Sequence, residues 1–135
     1  MKYLLDTNII SDLVRNPAGK VVGHIRRVGE DAVGTSIIVA AELRYGCAKR
    51  GSPQLTERIE AILSELRVLP FDRPADIRYG ALRAGLEAKG ASIGHNDLLI
   101  AAHGSSLGAA IVTADLREFG RVEGLAVENW LEGAG

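Results

Sequence analysis

Between Gly94 and Leu107 the chain carries a stretch suited only to the inside of a protein. Good helix formers follow Gly94, and no proline interrupts them before Leu107. The segment Leu98-Leu99-Ile100-Ala101-Ala102 is apolar all the way round such a helix, so neighbours must cover it on most sides. That requirement demands layers around it. Yet Asp97 opens the same helix, on the face shared by Ile100, Ala101 and Gly104 at three-and-four spacing. A carboxylate turned inward is costly unless something pairs with it, although the first helical turn favours negative charge. For one isolated aspartate, capping is the better account. The oddity recurs three more times.

Tyr3-Leu4-Leu5 is a short continuous apolar run, the pattern of a buried parallel strand. Asp6 stands where that strand gives way to a helix marked by Ile9, Ile10, Leu13 and Val14. Asn16-Pro17 ends this helix, and Val21, Val22 and Ile25 predict a short second one closing near Gly29. Ala32 to Thr35 reads as the next strand, with Ser36 as N-cap of a helix over 37–49. Glu42 lies on that helix among Ile38, Tyr45 and Gly46, a largely apolar face.

After the break at Arg50-Gly51-Ser52-Pro53, Leu55, Ile59, Ile62, Leu63 and Leu66 mark an amphipathic helix. Val68 to Asp72 gives a short strand. Ile77, Ala81, Ala84 and Ala88 then form a small-residue stripe suited to close packing, ended by Gly90. Ala109 to Thr113 is a further strand with Asp115 just beyond it, Leu125 to Val127 is the last, and Trp130 is expected to clamp the C-terminal end. Strands alternating with helices predict an α/β fold with a central, mostly parallel sheet flanked by helices on both faces. At 135 residues one domain, 1–135, is expected.

In open parallel sheets ligands bind beyond the carboxyl ends of the strands. Asp6 and Asp115 follow strand ends, Glu42 rides the helix leaving the second strand, and Asp97 opens the buried helix. Four carboxylates at one rim repel one another and resist ionisation unless a cation holds them charged. A hard divalent ion such as magnesium takes oxygen ligands, keeps waters and leaves room for a phosphate. Each acid also has a plain reading: Asp6 as a helix cap, Glu42 as partner of an arginine, Asp115 as a turn cap. Needing all of them together makes one metal site the more economical account, suited to phosphodiester hydrolysis.

Other chemistries find little footing. Cys47 is the only cysteine, which excludes an internal disulfide and a multi-cysteine metal site, and its setting predicts a small buried hydrophobe. There is no Gly-rich phosphate loop and no serine in a nucleophile elbow. The net charge of -1 gives no bulk attraction for nucleic acid, so local arginines would have to supply it. No apolar run reaches membrane-spanning length and the N-terminus lacks a signal-peptide pattern, so a cytoplasmic protein is expected. Thr7, Ser36, Thr113, Asn8 and Asn96 stand close enough in sequence to orient carboxylates, with capping as the competing role. His95 reads as a rim residue, His103 as exterior or a satisfied packing histidine, and His24 as part of a surface helix.

Taken in order, Leu5-Asp6-Thr7-Asn8-Ile9-Ile10, Ala41-Glu42-Leu43-Arg44-Tyr45-Gly46, Ile93 to His103 and Val112-Thr113-Ala114-Asp115 resemble PIN-domain proteins. Within that superfamily they are similar to VapC toxins of type II toxin–antitoxin pairs, as is the tail from Arg117 to Trp130. The resemblance implies a PIN-like fold and a Mg2+- or Mn2+-dependent endoribonuclease with Asp6, Glu42, Asp97 and Asp115 as its acidic cluster. It also implies a homodimer and a cognate VapB-like antitoxin whose tail blocks the site. Arg44, Arg117 and Arg121, near the motifs, are the candidates for gripping RNA. With six aromatics, base-stacking platforms are scarce. The competing functions are a PIN-fold module that holds RNA or protein without cutting, and a small magnesium-dependent phosphatase or receiver-like domain.

Overall fold

A computed structural model describes residues 1–132, so the last three positions of the expected 1–135 domain lie outside the described residues. Leu4 and Leu5 are fully buried in β1 (Tyr3–Leu5), the middle strand of a five-stranded sheet. On one side come β2 (Val33–Ser36) and then β3 (Arg67–Leu69). On the other come β4 (Ala110–Val112) and β5 (Val127–Glu128). Every pair is parallel, in the order β3-β2-β1-β4-β5.

Parallel neighbours need crossovers. α1 (Thr7–Arg15) and α2 (Lys20–Val28) join β1 to β2, while α3 (Ile37–Arg50) and α4 (Pro53–Glu65) join β2 to β3. The chain then reverses direction. α5 (Ala75–Ala88) and α6 (His95–Leu107) carry it back to β4, and the short α7 (Leu116–Phe119) leads to β5. Right-handed crossovers run in opposite directions from β1, which puts α1–α4 on one face and α5–α7 on the other. The reversal lies between β1 and β4, so the crevice beyond Leu5 and Val112 is the topological switch point.

The α6 helix fulfils the demand its sequence makes: Leu98, Ile100, Ala101, Ala102, His103 and Gly104 are all buried. Gly104 lets α6 lie close to β4, since a Cβ there would make the Ile111 side chain move. The stripe expected to pack on α5 faces outward instead. Ile77 is 66% exposed and Ala81, Ala84 and Ala88 are exposed as well, while Ala75, Tyr79, Leu82 and Leu86 turn inward. The two stripes have the same spacing; the inward one carries the larger apolar area, and burial follows area. The C-terminal clamp holds as expected. Trp130, 1% exposed, stacks on His24 at 5.2 Å and lies 5.1 Å from the Tyr3 ring.

Candidate functional site

The polar side chains buried in the described residues are Asp6, Thr35, Ser36, Thr113 and His103. The first four belong to the carboxyl ends of β1, β2 and β4, and none of their buried polar atoms lacks a partner. Asp6 caps α1: its Oδ1 accepts the Thr7 N–H at 2.8 Å. Its Oδ2 accepts the Thr113 hydroxyl at 2.8 Å and the Asn8 amide at 3.5 Å. The Thr113 oxygen in turn accepts the Asp115 N–H at 3.0 Å, and Asp115 Oδ1 accepts the Glu118 N–H at 3.1 Å to cap α7. Glu118 Oε1 accepts the Gly94 N–H at 2.8 Å, fastening α7 to the start of α6. One chain of hydrogen bonds thus runs from β1 through β4 to Asp97's own helix.

Carboxylate oxygens of Asp97, Asp115 and Glu118 lie within 4.8 Å of one another. Asp6 is near enough to feel the charges of Asp115 and Glu42, and Asp97 feels Asp6. Glu42 stands at the margin of this group. Its Oε1 accepts the Thr7 hydroxyl at 2.8 Å and its Oε2 the Asn96 amide at 3.1 Å. The face it shares on α3 is less apolar in effect than its sequence suggests, since Tyr45 is 67% exposed. The capping readings of Asp6 and Asp115 and the site reading are therefore compatible: both residues cap a helix and also face the other acids. Glu42 has no arginine partner among the described residues.

Glu118 is the acid that sequence reasoning left out. Its signal was present in the Asp115-x-x-Glu118 spacing, which is that of a capping box. What the spacing leaves open is that the Glu118 side chain turns to Gly94 and Asp97 rather than back to its own helix. His103 resolves as the satisfied packing histidine. It is 2% exposed, its Nδ1 lies 2.8 Å from the Ser36 hydroxyl, and desolvation holds its pKa below the usual value. Ser36 also caps α3, so this contact links the helix of Asp97 to the helix of Glu42. His95 is exposed, and Cys47 is buried at 6% exposure, as expected.

Crowding shows in the acids themselves. Desolvation, reinforced by the nearby Glu42 and Asp115 charges, raises the Asp6 pKa despite the hydrogen bonds of Thr113 and Thr7. Asp97 is pushed up to about 7, first by desolvation and then by its hydrogen bond to Glu118 and the charges of Asp6, Glu118 and Asp115. Glu118 moves the other way because the Gly94 N–H and the Asp97 hydrogen bond favour its charged form. As pH falls, Asp97 therefore takes up a proton before Glu118 does. Oxygen-only donors, clustered and reluctant to ionise together, fit a hard divalent cation.

The arginines divide. Arg44 is held in a two-pronged pair by Glu60, at 2.9 and 3.0 Å, and so is engaged away from the acids. Arg121 donates to the Ser92 carbonyl at 3.0 Å, and with Arg117 it lines a depression of about 220 Å³ shared with Asp115 and Glu118.

A parallel sheet with acids gathered at its switch point suits phosphate chemistry of several kinds, and comparison with known proteins narrows it. The PIN domain pattern matches residues 3–125. Ribonuclease VapC2 of Rickettsia felis is 36% identical over 132 residues, covering 96% of this chain and 98% of that protein. The tRNA(fMet)-specific endonuclease VapC of Salmonella typhimurium is 36% identical over 134 residues, with 96% and 98% covered. Among solved structures, VapBC2 of Rickettsia felis bound to a promoter DNA fragment superposes with a TM-score of 0.87 at 36% identity, covering 96% of this chain and 99% of that one. FitAcB of Neisseria gonorrhoeae gives 0.84 at 32% identity, with 97% and 99% covered. The chain belongs to the PIN-domain family, among the VapC ribonucleases. No helix among the described residues is long and apolar enough to cross a membrane.

Proposed function

We propose that this protein is a Mg2+- or Mn2+-dependent endoribonuclease and the toxin of a type II toxin–antitoxin pair, acting in the cytoplasm. The observation that carries the chemistry is the cluster of Asp97, Asp115 and Glu118 oxygens within 4.8 Å, beside a buried Asp6. Asp6, Asp97 and Asp115, with Glu118 added to the expected set, would hold the cation, and Glu42 would complete the acidic rim. When bound, the ion would activate water and stabilise the charge that develops on the phosphate. The protein's own groups prepare that event. Thr113 and the Thr7 N–H fix the Asp6 carboxylate, Thr7 and Asn96 fix Glu42, and the Gly94–Glu118 bond holds the start of α6 in place. Glu42, whose oxygens accept from Thr7 and Asn96 with hydrogen-bonding capacity to spare, would be placed to accept a proton from water.

The named relatives support an RNA substrate, with tRNA favoured because the Salmonella relative is a tRNA-specific endonuclease. The solved complexes support a VapB-like antitoxin as partner. A homodimer is part of the proposal, carried by the resemblance to VapC toxins. The test is cleavage of cellular RNA by purified protein with Mg2+ or Mn2+, read by mapping new 5′ ends. Asp6→Asn or Asp97→Asn is expected to lower cleavage on the order of 10³-fold while leaving the circular-dichroism spectrum unchanged. Persistent cleavage in both variants rejects the acidic cluster as the site, and none by the parent protein with either metal rejects the nuclease assignment.

A further inference from the structure

On the Glu42 side of the acids lies a groove of about 470 Å³ between α1, α3 and α4. Thr7 and Glu42 form its inner end, so it opens directly onto the acidic rim. Three arginines line it: Arg15 closes α1, Arg50 closes α3, and Arg58 projects from α4. None of them makes an ion pair among the described residues, and Glu42 is the only carboxylate in the lining. At Asp115 and Glu118 lies a second depression, lined also by Arg117 and Arg121, which shares no residue with the groove. The acids therefore border two arginine-lined hollows, each sharing an acid with the rim.

We propose that the RNA strand crosses the acidic rim from one hollow to the other, with Arg15, Arg50 and Arg58 holding the phosphates on one side of the cut and Arg117 and Arg121 those on the other. This rests on the ribonuclease reading above and extends it to the path of the substrate. The physical need is plain. A polyanion must approach a cluster of carboxylates on a protein whose net charge is -1, so attraction has to come from local cations. Guanidinium groups suit phosphate better than ammonium groups do, because they bind it through two parallel hydrogen bonds. Arg44, the obvious candidate in the motif, is already occupied by Glu60, whereas the groove arginines are available. The floor between them, with Leu43, Leu55 and Ile59, is apolar and lacks an aromatic ring, so grip falls on the backbone rather than on stacked bases. These five arginines bind the strand and take no part in breaking the bond.

The experiment compares the parent protein with an Arg15→Gln/Arg50→Gln/Arg58→Gln variant, using Mn2+ and two probes, a bulk tRNA preparation and bis(p-nitrophenyl) phosphate. The small ester reaches the acids without needing a strand path. The variant is expected to lose roughly tenfold or more in kcat/KM on tRNA, with KM raised and hydrolysis of the small ester unchanged. The slope of log affinity against log salt should flatten by about 2, at about 0.7 per lost phosphate contact. The corresponding Lys triple variant should recover most of the loss. Unchanged tRNA kinetics and salt slope overturn the path. So does a variant that cuts tRNA normally yet loses its antitoxin, which would make the groove a protein-docking surface. A parent protein that cleaves neither probe rejects the nuclease reading itself, and the path falls with it.

Discussion

The two ends of the sheet are made from the same strands and differ in what they bury. At the carboxyl ends, Asp6, Ser36 and Thr113 are buried and every buried polar atom is hydrogen-bonded, with His103 joined to Ser36. At the amino ends, Met1, Lys2 and the loop from Val28 to Ala32 line an open hollow of about 610 Å³. No buried polar side chain belongs to that end among the described residues. Its order comes from backbone contacts such as Lys2 N–H to Ala32 C=O at 2.7 Å. Polar burial is destabilising unless each group is satisfied, so its confinement to one end sets the end that carries the candidate site apart from the other.

The sharpest way to break this contrast is to cut the network where it is most shared. Thr113 serves Asp6 as donor and the Asp115 N–H as acceptor. Thr113→Val keeps the shape and leaves both groups short of a partner, at about 1–3 kcal/mol. It should also lower Mn2+ affinity and RNA cleavage roughly 10- to 100-fold. Calorimetric titration with Mn2+ and a thermal melt measure both, and wild-type values in each would show the hydroxyl to be incidental.

A smaller effect separates charge from hydrogen bonding. The Asp97 carboxyl sits at about 7 in the fold against 3.8 ordinarily. Between those values the folded state keeps a proton that the unfolded chain has released, so metal-free stability falls as pH rises through this window and levels off above it. Asp97→Asn lacks this liability. Without metal it should melt above the parent protein at pH 8, by a margin reduced by solvent screening of the half-buried carboxyl, and the gap should close toward pH 4. His103, whose pKa is lowered, favours folding as pH rises, but it is common to both proteins and cancels in the difference. A gap that does not vary with pH would mean that Asp97 is not the strained group. The smallest effect belongs to the other end. Asp31→Asn, in the exposed amino-end loop, should shift stability by no more than about 0.5 kcal/mol and leave RNA cleavage unchanged.

Much of the fold was legible from periodicity, and the exceptions have one cause. The α5 helix carries two stripes of identical spacing, Ile77-Ala81-Ala84-Ala88 and Ala75-Tyr79-Leu82-Leu86, and spacing cannot say which one turns inward. Packing against α6 chooses the stripe with more area to bury. The site behaves similarly. Asp6, Asp97 and Asp115 were readable because each breaks a local pattern at an element's end. Glu118 breaks none, being an ordinary acid in the first turn of a four-residue helix. Its place beside Asp97 comes from Gly94, 24 residues earlier in the chain.

By itself, then, the sequence determined the alternation of strand and helix, the burial of α6 and the placing of acids at element ends. Those follow from short-range patterns of apolar and polar residues, which the backbone periods convert directly into faces and termini. Only the tertiary structure decided that Glu118 meets Asp97 and that Arg44 is taken by Glu60. It also decided which arginines line the hollows beside the acids. Such pairings depend on distances between residues far apart in the chain, and no local pattern encodes them.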